Sequence, residues 1–306
     1  MPDFREDAEL DTSQVEDLRG GGSGGGGLPR GRIAGGGAVA IVVVIVGLLL
    51  GVDVTGGGGG TGLGGLQDLQ NQTAGTPAVN NTGIAKACRT GADADKSEDC
   101  RIVGYVNSIQ VYWSKAFQDG GYRPAKTRFF SGGVSTACGQ ASSAMGPFYC
   151  PGDRKVYIDL GFFDTLAQRL GAPGDFAQAY VVAHEVGHHV QNLLGVTGKV
   201  DAMRGRVSQA QQNALSVKVE LQADCLAGVW AFHSQKGKGW LEAGDVEEAL
   251  NAAAQIGDDT LQRNARGTVV PESFTHGSSA QRVAWFKRGV GSGSVKDCDT
   301  FAQKQP

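Results

Sequence analysis

The sequence predicts an α+β fold, mostly helical with a small sheet, behind a single N-terminal transmembrane helix. Three observations give that expectation. Apolar residues recur at helical spacing in four long stretches, 102–118, 176–194, 209–233 and 245–263. Two short runs read as strands: Lys155–Asp159, with its β-branched and aromatic content, and Lys126–Phe130. Ile33–Val52 is 20 residues long and carries no charge. As a helix that run spans the roughly 30 Å of a bilayer core.

Taken from the start, residues 1–19 hold seven acidic side chains and two arginines, with few large apolar groups. Such a composition cannot bury enough surface to fold alone. With the Gly/Ser run Gly20–Gly27, residues 1–32 are expected to be a disordered acidic and glycine-rich tail. Residues 33–52 have no polar face, which argues against a buried core helix. A cleaved secretory signal is the other reading. The long preceding region and the lack of a small-x-small cleavage site oppose it. Arg30 and Arg32 precede the run, and the next basic residue is Lys86. The positive-inside rule therefore places the N-terminus in the cytoplasm and the rest outside, single-pass in the cell membrane. Residues 53–83, rich in Gly, Asn and Thr, read as a tether, and 84–306 as the folded domain.

The net charge of −3 gives no electrostatic case for nucleic acid. The six cysteines, Cys88, Cys100, Cys138, Cys150, Cys225 and Cys298, are even in number and fit disulfides in an oxidising compartment. Sequential pairing is the expectation among the connectivities open to six cysteines. No Cys-x-x-Cys is present to support a cysteine metal site.

The chemistry centres on His184-Glu185-Val186-Gly187-His188. On a helix, His184 and His188 point the same way and can hold one Zn²⁺. Glu185 beside them can take a proton from water at the metal. Gly195 offers a left-handed end to that helix. A catalytic zinc takes a third protein ligand, and Glu220 is the candidate. Asp224, four residues on, shares its face and can accept the outer N–H of a ligand histidine. The plainer alternative is a pair of partly buried helix histidines and a solvated acidic pair. The apolar flanks of Glu220 and Asp224 argue for burial, and a buried carboxylate needs a partner. In the last stretch, Ser278 or Ser279 can cap a helix running to about Arg288.

Phe148-Tyr149-Cys150-Pro151 through Leu194-Gly195, with Glu220-Leu221-Gln222-Ala223-Asp224 and Phe274-Thr275-His276-Gly277, resembles the bacterial putative neutral zinc metallopeptidase family. The similarity covers roughly residues 100–289. It implies a membrane-anchored, zincin-like architecture, one catalytic zinc with glutamate as third ligand, and peptidase activity on a peptide or protein substrate. In such enzymes a His or Tyr outside the metal shell donates to the oxyanion. His276 is the candidate donor and Arg282 a site organiser, with Tyr149 and Tyr157 as weaker donor candidates. Val156–Asp159 is the candidate strand for pairing with an extended substrate, or else an ordinary interior strand. His189 and His233 read as structural. Two other functions remain open at this point: a catalytically silent zinc-binding envelope scaffold, and a zinc amidase acting on cell-wall amide bonds.

Overall fold

Helical periodicity translates into helices at every long stretch, but one of them divides. The computed structural model of the chain describes residues 4–19, 78–117, 120–238 and 241–302. The first part runs β1 (Val15–Asp17), α1 (Thr82–Ala87), α2 (Gly91–Ala94), α3 (Glu98–Ala116), β2 (Lys126–Phe129), β3 (Gly133–Thr136), β4 (Gly139–Ser142), β5 (Phe148–Cys150) and β6 (Lys155–Ile158). The second part is helical: α4 (Gly161–Gln168), α5 (Asp175–Leu193), α6 (Val196–Asp201), α7 (Gln209–Lys238), α8 (Asp245–Gln255), α9 (Asp258–Arg266) and α10 (Ser279–Ser292).

Helix α5 forms because its apolar residues wrap nearly the whole circumference. Phe176, Ala179, Tyr180, Val182, Val186 and Val190 are all fully buried. It ends where Gly195 takes the left-handed conformation at φ +74°. Helix α7 packs against α5 on one side and α10 on another. That double burial explains why residues 219–231 are buried nearly all round, with only Gln222 half-buried. Phe176 of α5 stacks on Trp230 of α7 with ring centroids 5.9 Å apart. Each such buried aromatic contributes roughly 1.5–3 kcal/mol. Ser278 caps α10, accepting from the Gln281 amide.

The four-stranded sheet has the order β1-β2-β6-β5, with β1, β2 and β6 parallel and β5 antiparallel to β6. Strand β6 is therefore interior, and the expectation that Val156–Asp159 offers a free edge is corrected: the edge strand on that side is β5. All three disulfides pair as expected, Cys88–Cys100, Cys138–Cys150 and Cys225–Cys298. The last closes a separation of 73 residues, which in the loop-entropy account stabilises the fold by about 4 kcal/mol.

Three further expectations change. Residues 4–19 are not disordered. Val15 is fully buried, Phe4 and Leu18 nearly so, and β1 joins the sheet. The composition argument failed because the acidic groups find partners far along the chain: Glu16 pairs with Arg128 and Lys155. Second, strands form beyond the two runs that read as strands: β3 and β4 make a hairpin that Cys138 staples to β5. Third, 245–263 is two helices, α8 and α9. The break lies at Gly257, where a Cβ would meet the Ser279 amide nitrogen at 2.4 Å. The folded unit thus takes in residues before 84. Residues 20–77, which include the proposed membrane helix 33–52 and most of the tether, lie outside the described residues. Among the described residues no helix is long and apolar enough to cross a membrane.

Candidate metal centre

The centre lies where α5 meets α7. Gly187 sets that approach: a Cβ there would sit 3.1 Å from the Ala223 carbonyl oxygen of α7. His184 and His188 therefore face Glu220 and Asp224 across a narrow seam. All four are at most 5% exposed. His184 Nε2 lies 3.1 Å from Glu220 Oε2 and 3.2 Å from His188 Nε2, and His188 Nε2 lies 3.5 Å from Glu220 Oε1. The three ligand groups lie within 4.8 Å of one another.

The outer nitrogens decide what the inner ones can do. His184 Nδ1 lies 2.8 Å from Asp224 Oδ1, and a carboxylate only accepts, so this nitrogen donates. His188 Nδ1 lies 2.9 Å from Gln191 Oε1. The Gln191 amide nitrogen donates to the Val219 carbonyl at 2.7 Å and to Gln222 Oε1 at 3.0 Å, which fixes Oε1 as an acceptor. Both rings then present bare Nε2 lone pairs to each other and to a carboxylate. Three acceptors facing one point require a cation or a proton between them. Bonds of about 2.0–2.1 Å to a tetrahedral zinc give ligand edges of about 3.3 Å, and the 3.1 Å from His184 Nε2 to Glu220 Oε2 and the 3.2 Å between the two Nε2 atoms lie close to that value. Glu220 Oε1 and Glu185 Oε2 are buried and otherwise without a hydrogen-bond partner. The donor set fits zinc.

Burial alone would push the His184 ring down. The Asp224 charge, with hydrogen bonds from the ring to Asp224 and Glu220, outweighs it and raises His184 to about 10. Glu220 moves the other way: burial raises it, but His188 and His184 bring it well below the carboxylate range. These carboxylates thus hold positive charge at the seam. Glu185 is raised, chiefly by burial, against the pull of the two histidines. A small cavity bordered by Pro147, Phe162 and Ile256 reaches Glu185 and His184.

Behind the seam, Arg282 of α10 is fully buried and grips Asp224 with two bonds, Nε to Oδ2 and Nη2 to Oδ1, each 2.9 Å. Tyr180 donates to Asp224 Oδ1 at 2.6 Å and accepts from Arg282 at 3.2 Å. His276 is buried, with Nε2 lacking a hydrogen-bond partner, while Nδ1 lies 3.1 Å from Asp258 Oδ1. Asp258 Oδ2 also accepts from the amides of Thr275, His276 and Gly277. Tyr149 is turned to His189 and Asn192, and Tyr157 to Asp153; neither borders the cavity. His189 donates or accepts only within the fold, between Tyr149 and the Arg123 carbonyl, and His233 reaches the Gly293 carbonyl.

The His276–Asp258 pair gives a pH prediction. Burial lowers His276, but Asp258 outweighs it and the ring is raised; burial raises Asp258, but His276 and the amides outweigh it and the carboxyl is lowered. The histidine contribution is fully present below the ordinary value of 6.5 and is lost as pH rises through the raised one. The aspartate contribution is present above 3.8 and is lost as pH falls through the lowered value. Asp258→Asn is expected to cost about 3 kcal/mol near pH 6. The cost shrinks at alkaline pH, as urea titrations at several pH values will show.

Tyr180, Gln191 and Asp258 belong to the centre but were not singled out from sequence. Tyr180 and Gln191 carry a usable signal, standing four residues before His184 and three after His188 on the same helix face. Asp258 carries none, because its place depends on the break between α8 and α9.

Residues 4–301 match the family described as putative neutral zinc metallopeptidase. The chain is 55% identical over 193 residues to the uncharacterized Escherichia coli K12 protein YpfJ, covering 62% of this chain and 67% of that one. It is 47% identical over 227 residues to the uncharacterized Mycobacterium tuberculosis H37Rv protein Rv2575, covering 70% and 74% respectively. No solved structure matches. With the family match spanning nearly the whole chain and His184, His188 and Glu220 brought together, the protein belongs to the putative neutral zinc metallopeptidase family.

Proposed function

We propose that the chain is a zincin-like, zinc-dependent peptidase that hydrolyses peptide bonds at the outer side of the cytoplasmic membrane. The observation that carries this reading is the convergence of two bare imidazole lone pairs and the Glu220 carboxylate, with the Glu185 carboxylate next to them. His184, His188 and Glu220 would hold the ion. When bound, zinc acts as a Lewis acid that makes water nucleophilic near neutral pH. Glu185 takes a proton from the attacking water and returns it to the leaving amine, so no other acid is needed. His276, with Nδ1 turned to Asp258, offers Nε2 as a donor to negative charge developing on the carbonyl oxygen. Asp224 and Arg282 hold the His184 ring in place.

The edge of β5 supports binding of an extended peptide by strand addition. Pro147, directly before it, borders the cavity at Glu185. The three disulfides support an oxidising compartment, and Ile33–Val52 supplies the apolar surface for membrane attachment. The test is incubation of the full chain with unfolded proteins and, in parallel, with cell-wall material, with and without a zinc chelator. Chelator-sensitive peptide cleavage is expected. Cleavage confined to wall amides would replace this reading with an amidase, and no cleavage of either would leave a zinc-binding scaffold.

A further inference from the structure

The N-terminal segment is built into the same body as the metal centre. Phe4 packs where Gly104 of α3 leaves room; a Cβ there would stand 2.3 Å from the phenyl ring. A Cβ on Gly91 would stand 2.1 Å from the Arg5 carbonyl oxygen. Strand β1 pairs in register with β2, Val15 opposite Thr127 and Asp17 opposite Phe129. Arg19 bonds Asp99 at 2.6 Å, and Lys155 bonds Glu16 at 2.7 Å. Two apolar anchors and several ion pairs make this a shaped seat.

The chain also leaves and returns at one point. The Asp17 amide donates to Asn81 Oδ1 at 2.8 Å, the Asn80 amide donates to the Asp17 carbonyl at 2.8 Å, and Asn81 Nδ2 donates to the Val15 carbonyl at 2.7 Å. The described segments on either side of residues 20–77 therefore meet in one hydrogen-bonded junction. A single crossing by the apolar run Ile33–Val52 would put the two flanks of that run on opposite faces of a layer about 30 Å thick. No hydrogen bond between Asp17 and Asn80 survives that separation.

We infer that the N-terminal segment, residues 4–19, and the metal centre share one compartment, on the same side of any lipid bilayer the protein meets. This replaces the arrangement with a cytoplasmic tail and an external domain. The inference does not depend on the metal chemistry.

The experiment uses the full chain in its membrane, with one epitope before Met1 and another after Pro306, treated with a membrane-impermeant reagent before and after permeabilisation. Both epitopes are expected to react in the same step. Reaction of one before and the other only after permeabilisation would overturn the inference. Hydrogen exchange on the same material reads the junction itself. The amides of Asp17 and Leu18, which donate to Asn81 and to the Phe129 carbonyl, are expected to exchange at least 100-fold more slowly than unprotected amides. Exchange at the unprotected rate would show that β1 is not seated and would also overturn it.

Discussion

Glu185→Gln is expected to retain zinc and to lose hydrolysis by roughly 10²–10⁴-fold, the range for a positioned general base. The amide nearly preserves the shape of the side chain, and Glu185 is not one of the three converging ligand groups, so metal content is the control for an intact site. What disappears is the ability to accept a proton. Burial already raises the Glu185 carboxyl toward its neutral form. Activity of the wild-type chain should therefore fall on the acid side as this group protonates, at a pH above its ordinary value of 4.5. Turnover by zinc-loaded Glu185→Gln near the wild-type rate would assign the base elsewhere.

Asp224→Ala carries the second large effect, and it acts on stability and metal together. Arg282 is fully buried, and Asp224 accepts two of its hydrogen bonds. Removing one partner of such a pair leaves an uncompensated charge in the interior, at a cost of about 3–5 kcal/mol. The same substitution frees the His184 ring from the acceptor that orients it, and loss of such an acceptor lowers metal affinity about 10–100-fold. A double-mutant cycle separates the two. Adding Arg282→Leu removes the stranded guanidinium and is expected to recover part of the stability, as read by urea denaturation, without recovering zinc affinity. Recovery of both would mean that Asp224 serves only to neutralise Arg282.

The helices that build the centre were legible because their signals are local. The spacing of His184 and His188, the glycine stop at Gly195 and the acidic pair Glu220 and Asp224 each need only one helix to be understood. The pairing of the six cysteines followed from sequence proximity for the first two bridges and by remainder for the third. What was not legible depended on contacts between distant segments. Residues 4–19 read as disordered because Glu16 and Asp17 look unpaired until Arg128, Lys155 and Arg19 are brought to them. The division of 245–263 into α8 and α9 is set by the close approach of Ser279 to Gly257, and periodicity cannot register that contact. For β6, the strand itself was correctly recognised. Its interior position stood open beside a free edge, because its neighbour β5 has only three residues and little pattern to find.

The most direct measurement is the zinc content of the purified full chain and of Glu220→Ala, by atomic emission after dialysis against metal-free buffer. The geometry of His184, His188 and Glu220 predicts one zinc per chain in the wild type and a large loss in the variant, with the helical content unchanged. A wild-type chain that retains no zinc, or a Glu220→Ala chain that retains one as firmly, would contradict it.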